Sequence, residues 1–145
     1  MRGFLVALFL SMFAAPAIFA AETQGVLRPV DLRCEYRTNP LGVDTAAPRV
    51  SWKLVAVNPS ARGLGQSAYR VLAASSEALL LRNQGDLWDT GKVSADQSIQ
   101  LPYGGKPLSS GELVWWKVQV WDNDSKPSAW SVPAHWSMGL LAATD

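Results

Sequence analysis

The stretch ELVWWKVQVWDND, residues 112–124, alternates with a period of two, which fits a β-strand and does not fit a helix. Val114, Trp116, Val118 and Val120 fall on one face; Leu113, Trp115, Lys117, Gln119 and Trp121 fall on the other. A half-buried strand is apolar on one face only. Here the second face carries two indoles as well, so something must cover it.

The same period recurs along the chain between clusters of Pro, Gly, Ser, Asn and Asp. VLRPVDLRCEY (26–36) reads as a strand whose Pro29 cannot donate to a central ladder, which assigns it to a sheet edge. RVSWKL places Val50, Trp52 and Leu54 on one face, and QSAYRVLAAS does the same with Tyr69, Val71 and Ala73. SSEALLLRNQG departs from the period: Ser75 or Ser76 can cap a helix of at most two turns that Asn83 to Gly85 would stop. DLWDTGKV and SIQL read as two further short strands. In AWSVPAHWSM, Trp130, Val132, Ala134, Trp136 and Met138 share one parity, and Pro133 marks a second edge. The expected fold is all-β: an immunoglobulin- or fibronectin type III-like antiparallel sandwich of about seven strands over residues 26–141.

The first twenty residues stand outside that sandwich. MRGFLVALFLSMFAAPAIFA has a basic start at Arg2, an apolar run from Phe4 to Phe13 and a breaker at Pro16. This is the plan of a cleavable secretory signal helix, cut after Ala20 or, as second choice, after Ala21. The apolar run is shorter than the ~20 residues that cross a bilayer, so no stable membrane span is expected. Residues 21–25 would form a disordered lead-in, and 142–145, after the apolar GLL, the start of a linker. The expected destination is the periplasm or the exterior.

Arg2 is the only charged residue of the leader, which leaves twelve basic and twelve acidic residues beyond it. A neutral domain has no electrostatic footprint for nucleic acid. The single cysteine, Cys34, excludes an internal disulfide, so an exported domain of this kind must be stable by its core alone. Within LRCEY, Cys34 reads as a small buried hydrophobe.

Candidates for chemistry are few. Asp86 and Asp89 flank Trp88, and Asp122 and Asp124 flank Asn123, but each pair falls at a strand end or turn, where aspartate bonds its own backbone. The Asp122 run lacks the glycine and glutamate of a calcium loop. With one histidine, His135, and one cysteine, no His/Cys zinc set can be built, and no GxSxG surrounds a serine. No catalytic residue, metal or cofactor is expected. Trp52 and Trp116 fall in phase with aliphatic neighbours and, with Tyr69, Val71, Val118 and Val120, are assigned to the core. Trp115 and Trp121 have three readings: platforms for sugar rings, a surface under a neighbouring domain, or groups covered by long side chains of their own sheet.

The segments NPLGVDTAAPRVSWKL (39–54), QSAYRVLAASS (66–76), GDLWDTGKVSADQSIQLPYGGKPLSSG (85–111), WWKVQVWDNDSKPSAWS (115–131) and HWSMGLL (135–141) occur in an order that resembles the N-terminal fibronectin type III-like domain of bacterial α-L-rhamnosidases. The resemblance implies a glycoside hydrolase that releases terminal rhamnose from plant glycosides or polysaccharides, with inversion at the anomeric centre. It also implies that the catalytic acids lie in an (α/α)₆ barrel far downstream, with further β-domains as intramolecular partners. No residue of this chain can receive the role of acid or base. Two departures stand out: Leu108 and Val114 occupy the spacing of leucine and corner tyrosine, and Asn123 or Asp124 must take a positive φ where glycine would be easier. The rival expectations are a carbohydrate-binding module using Trp115 and Trp121, and an adhesion-type sandwich module.

Overall fold

The structure is a computed structural model that describes residues 24–145. The leader with Ala20 and Ala21, and residues 21–23 of the lead-in, lie outside the described residues. The lead-in is cut short at its end: Gly25 is buried, and its N–H donates to the Pro127 carbonyl at 2.8 Å.

Seven strands and one short helix follow: β1 (Leu27–Cys34), β2 (Arg49–Ala56), β3 (Gln66–Ala74), α1 (Glu77–Leu81), β4 (Trp88–Asp89), β5 (Leu101–Pro102), β6 (Leu113–Asp122) and β7 (Ala134–Ser137). They form two antiparallel sheets, one ordered β1-β2-β5 and the other β4-β3-β6-β7. This is the expected sandwich. Pro29 sits on edge strand β1, and Pro133 immediately precedes edge strand β7, where a missing N–H costs no ladder bond.

A bulge in β1 explains how an imperfect pattern still fills the core. Asp31 adopts φ 49°, and the register with β2 slips between Val30 and Arg33. The extra residue reverses parity, so Leu27 before it and Leu32 and Cys34 after it all face inward. Burial pushes the Cys34 thiol up to about 12, with the Glu35 charge adding to the effect.

The sheets are joined by aromatic rings. Trp52, Tyr69, Val71, Trp116, Val118 and Val120 are each no more than 5% exposed. Trp52 meets Tyr69 edge-to-face at 5.5 Å. A second run of edge contacts passes from Trp88 to Tyr103 (5.2 Å), from Tyr103 to Trp136 (6.0 Å) and from Trp136 to Trp116 (6.4 Å). Such pairs add about 0.5–1.5 kcal/mol each beyond area burial. Trp52 Nε1 donates to Gln66 Oε1 at 3.1 Å, and the Gln66 amide donates to the carbonyls of Ala95 and Gln97. Tyr103 takes over the tether that Val114 cannot supply, its hydroxyl donating to the Lys106 carbonyl at 2.7 Å.

Three local expectations need correction. SIQL is not a strand throughout: the Ser98 carbonyl accepts from the Trp52 N–H, Gln100 then takes φ 54°, and only Leu101 belongs to β5. The positive φ in the β6–β7 turn falls on Ser125 (57°), not on Asn123 or Asp124: the Asp122 carboxylate accepts from the Asp124 N–H, and the Asp122 carbonyl accepts from the N–H of Ser125 itself. The shared face of AWSVPAHWSM breaks before Pro133: Ala134, Trp136 and Met138 are buried, whereas Val132 is 83% exposed and Trp130 lies on the outer side of the sheet.

Trp52→Ala or Trp116→Ala should cost ~3–5 kcal/mol in urea unfolding, the usual range for emptying a large aromatic site. Ser125→Gly should stabilise the domain by about 0.5–1 kcal/mol by relieving a left-handed serine, whereas glycine at Asn123 should not.

Candidate functional site

The outer face of the four-stranded sheet holds the two tryptophans left open by the sequence. Trp115 pairs in register with Ala74 of β3 and His135 of β7, while Trp121 pairs with Ala68. Six residues of strand separate them, about 20 Å at the usual rise, with Lys117 and Gln119 between. They do not form one platform.

Each is half-buried against its own chain. Trp115 packs beside the buried cluster of Leu72, Ala74 and Leu80, together with Leu79 and Trp130, and its ring lies 4.9 Å from that of His135. Helix α1 supplies this cover. Ser76 caps it, its hydroxyl accepting from the Leu79 N–H, and Asn83 with φ 58° ends the turn, so Leu79 and Leu80 are held down on β3 and β6. Trp121 carries the Lys92 ammonium 4.9 Å from its ring centre.

Trp130 is the cover that sequence reasoning missed. Beyond the Trp116–Ala134 pair, the β6–β7 ladder is continued by two serines. Ser131 N–H donates to the Val118 carbonyl, and Val118 N–H donates back to Ser131 Oγ at 3.0 Å. Ser128 treats Val120 the same way, its Oγ accepting at 3.1 Å. With hydroxyls standing in for carbonyls, the segment need not keep strand geometry, and Trp130 turns out over the sheet. There its ring lies 4.7 Å from the Lys117 ammonium and 5.9 Å from the Arg70 guanidinium. Lys117 is 5% exposed and donates to Asn83 Oδ1; burial pulls its pKa below the ordinary lysine value. Two serines three residues apart around a tryptophan in SAWS were the available signal.

Three of the four candidate carboxylates are committed to structure, and Asp124 is exposed on the turn. Asp86 accepts from the Ser75 N–H (2.9 Å) and hydroxyl. Asp89 forms a two-point pair with Arg70 at 3.0 and 2.8 Å, which holds its carboxyl below the ordinary range. Asp122, 2% exposed, accepts from the amides of Val26 (3.0 Å), Asp124 (2.9 Å) and Lys126 (3.0 Å). Burial works against its ionisation, and those three amides with the Lys126 charge more than offset it, so its pKa is lowered. Among the described residues, no group of three or more His, Cys, Asp or Glu could hold a metal ion, and no helix is long and apolar enough to cross a membrane.

The apolar cleft of about 370 Å³ lies elsewhere, between β1 and the segment before β7, and is lined by Pro29, Leu32, Asn39, Trp130 and Val132 among others. One of its polar groups is already used: Asn39 Oδ1 accepts from the His135 N–H.

With the fold and these sites established, comparison with known proteins is decisive for the family. The family described as "Rha78A-like, N-terminal immunoglobulin domain" matches residues 29–142. The chain belongs to this family. An alpha-L-rhamnosidase of Streptomyces avermitilis is 44% identical over 119 residues, 82% of this chain but 11% of that protein. One of Formosa agariphila is 38% identical over 138 residues, 94% of this chain and 14% of its own length. The crystal structure of the Streptomyces avermitilis protein, complexed with L-rhamnose, superposes with a TM-score of 0.75 over 81% of this chain and 11% of that one. The alpha-L-rhamnosidase from Dictyoglumus thermophilum gives 0.76 at 40% identity, over 80% of this chain and 13% of that one. This Rha78A-like N-terminal domain thus spans about one-ninth to one-seventh of the relatives it matches.

Asp122→Ala should cost ~1–3 kcal/mol, since three amides lose their acceptor. The sign of its pH effect follows from the lowered folded value: the stabilisation is complete above about pH 4 and is lost as pH falls through the folded pKa. Urea melts between pH 7 and pH 2 should show a steeper acid decline for wild type than for Asp122→Ala.

Proposed function

We propose that this chain is the non-catalytic N-terminal accessory domain of an exported α-L-rhamnosidase-like glycoside hydrolase that acts on terminal rhamnose of plant glycosides or polysaccharides. The observation that carries this reading is the pairing of coverage: four-fifths or more of the chain matches proteins named alpha-L-rhamnosidase, and it does so over only 11–14% of their length. The commitment of Asp86, Asp89 and Asp122 to backbone and ion-pair contacts supports it, because a general acid must be free to meet a substrate. Export through a signal cut after Ala20 or Ala21 is part of the proposal, and so is packing against the domains that follow in the same polypeptide. Local cover of Trp115 and Trp121 weighs against a carbohydrate-binding role, which needs an open aromatic face.

The test is a chimera in which this chain from residue 24 replaces the matching 119 residues of the Streptomyces avermitilis alpha-L-rhamnosidase. The chimera should be soluble and release rhamnose from an aryl α-L-rhamnoside at a rate within about tenfold of the parent, which is the scale of a misplacement worth about 1.4 kcal/mol. The purified 145-residue chain should release none above blank. Turnover by the chain alone, or a chimera that never folds, would contradict the proposal.

A further inference from the structure

We infer that the end of the sandwich carrying Leu41, Leu113 and Leu140 is the surface on which the following domain of the same polypeptide docks, an inference that rests on the function proposed above. These leucines are 75%, 41% and 68% exposed. Scattered exposed leucines are ordinary, but these surround one bonded set of backbone groups. Leu41 precedes Gly42, whose N–H donates to Ser137 Oγ; Leu140 follows Gly139, whose N–H donates to the Val43 carbonyl; Leu113 pairs with Ser137.

The loop that presents Leu41 has no regular structure, yet it is held at successive residues. Ser137 N–H donates to the Pro40 carbonyl at 3.1 Å, Gly42 N–H to Ser137 Oγ at 3.1 Å, Val43 N–H to the Ser137 carbonyl at 2.8 Å and Gly139 N–H to the Val43 carbonyl at 2.7 Å. Two glycines permit this contact: Gly42 takes φ 70°, and a Cβ on Gly139 would meet the Gly42 carbonyl oxygen at 3.0 Å. The leucine side chain is therefore displayed on a rigid mount, so little ordering entropy is lost on docking. Beside it lies a polar cleft of about 600 Å³ lined by Arg37, Asp44 and Arg49 among others, and Arg37 has no ion-pair partner among the described residues. An apolar centre with a charged rim is the anatomy of a protein interface, not of a sugar site.

Position selects the occupant. The family is an N-terminal domain matched through residue 142, so in its members the remaining chain emerges next to Leu140. Residues 141–145 turn back at this same end, where Leu141 N–H donates to Ser110 Oγ at 2.8 Å and Gly111 N–H to the Gly139 carbonyl at 3.2 Å. Chain that continues from residue 142 leaves the sandwich at this end, which makes this surface its nearest neighbour. Beyond Leu113, the outer face of the four-stranded sheet is less suited, since α1 and Trp130 already pack around Trp115.

The experiment compares Leu41→Ser/Leu140→Ser with wild type, both in the isolated chain and in the chimera described above, by calorimetry and amide hydrogen exchange. In the chimera the double substitution should lower the melting of this domain by about 5 °C or more, and should raise exchange at residues 40–43 and 139–141 to the isolated chain's level. In the isolated chain it should shift melting by no more than about 2 °C. An active chimera whose melting and exchange ignore the substitutions overturns the docking surface and leaves the functional proposal standing. Concentration-dependent self-association of the isolated chain that the substitutions abolish would assign the surface to a second copy and overturn it too. A chimera that neither folds nor turns over takes down both.

Discussion

The structure depends on indole rings buried between two sheets with no covalent cross-link to help them. A domain of this size without a disulfide has only its core to offset the chain entropy lost on folding. Trp52, Trp116 and Trp136 are the largest of its fully buried side chains. Burying an indole also requires a partner for its N–H, and the fold meets this by placing Gln66 opposite Trp52 and Met138 opposite Trp136. The Gln66 side chain then fixes the irregular segment around residues 95–97, so one polar contact positions a loop that has no ladder of its own.

The same economy governs the outer face of the larger sheet. A strand with tryptophans on both faces poses a solvation problem that a sandwich cannot solve with a second sheet on each side. Here a five-residue helix, a bulged tryptophan and a buried lysine do the covering. Lys117 illustrates the compromise: its stem fills space beside the indoles, while its ammonium keeps one hydrogen bond and the face of Trp130. The docking surface proposed above lies instead at the end of the sandwich, where the 40–43 loop is bound to β7.

The fold was legible wherever one local rule decided the outcome. Period two placed β2, β3 and β6, Pro29 and Pro133 marked the edges, and the Ser75–Ser76 pair announced the helix, which Ser76 caps. What escaped was set by contacts distant in sequence. SIQL alternates like a strand, but the positive φ of Gln100 interrupts it, so only the Ser98 carbonyl bonds to β2 before the ladder begins at Leu101. Trp130 shares parity with Ala134 and Trp136, yet Ser128 and Ser131 satisfy the facing amides with hydroxyls and release it. The positive φ moved to Ser125 because Asp122, at the other end of the turn, binds the amides of Asp124 and Lys126. For the site, the aspartates were legible as turn residues from spacing alone, whereas the cover over Trp115 depends on a helix whose docking no local pattern reveals.

The most direct test of this account is solvent exchange of the tryptophan indole N–H groups, followed by nitrogen-15 NMR after transfer to deuterium oxide. The Trp52 and Trp136 signals should persist until the whole domain opens, with protection that disappears together with that of the central β3 and β6 amides. Loss of either indole signal within the first spectrum, while β3 and β6 stay protected, would show that these rings do not hold the two sheets together.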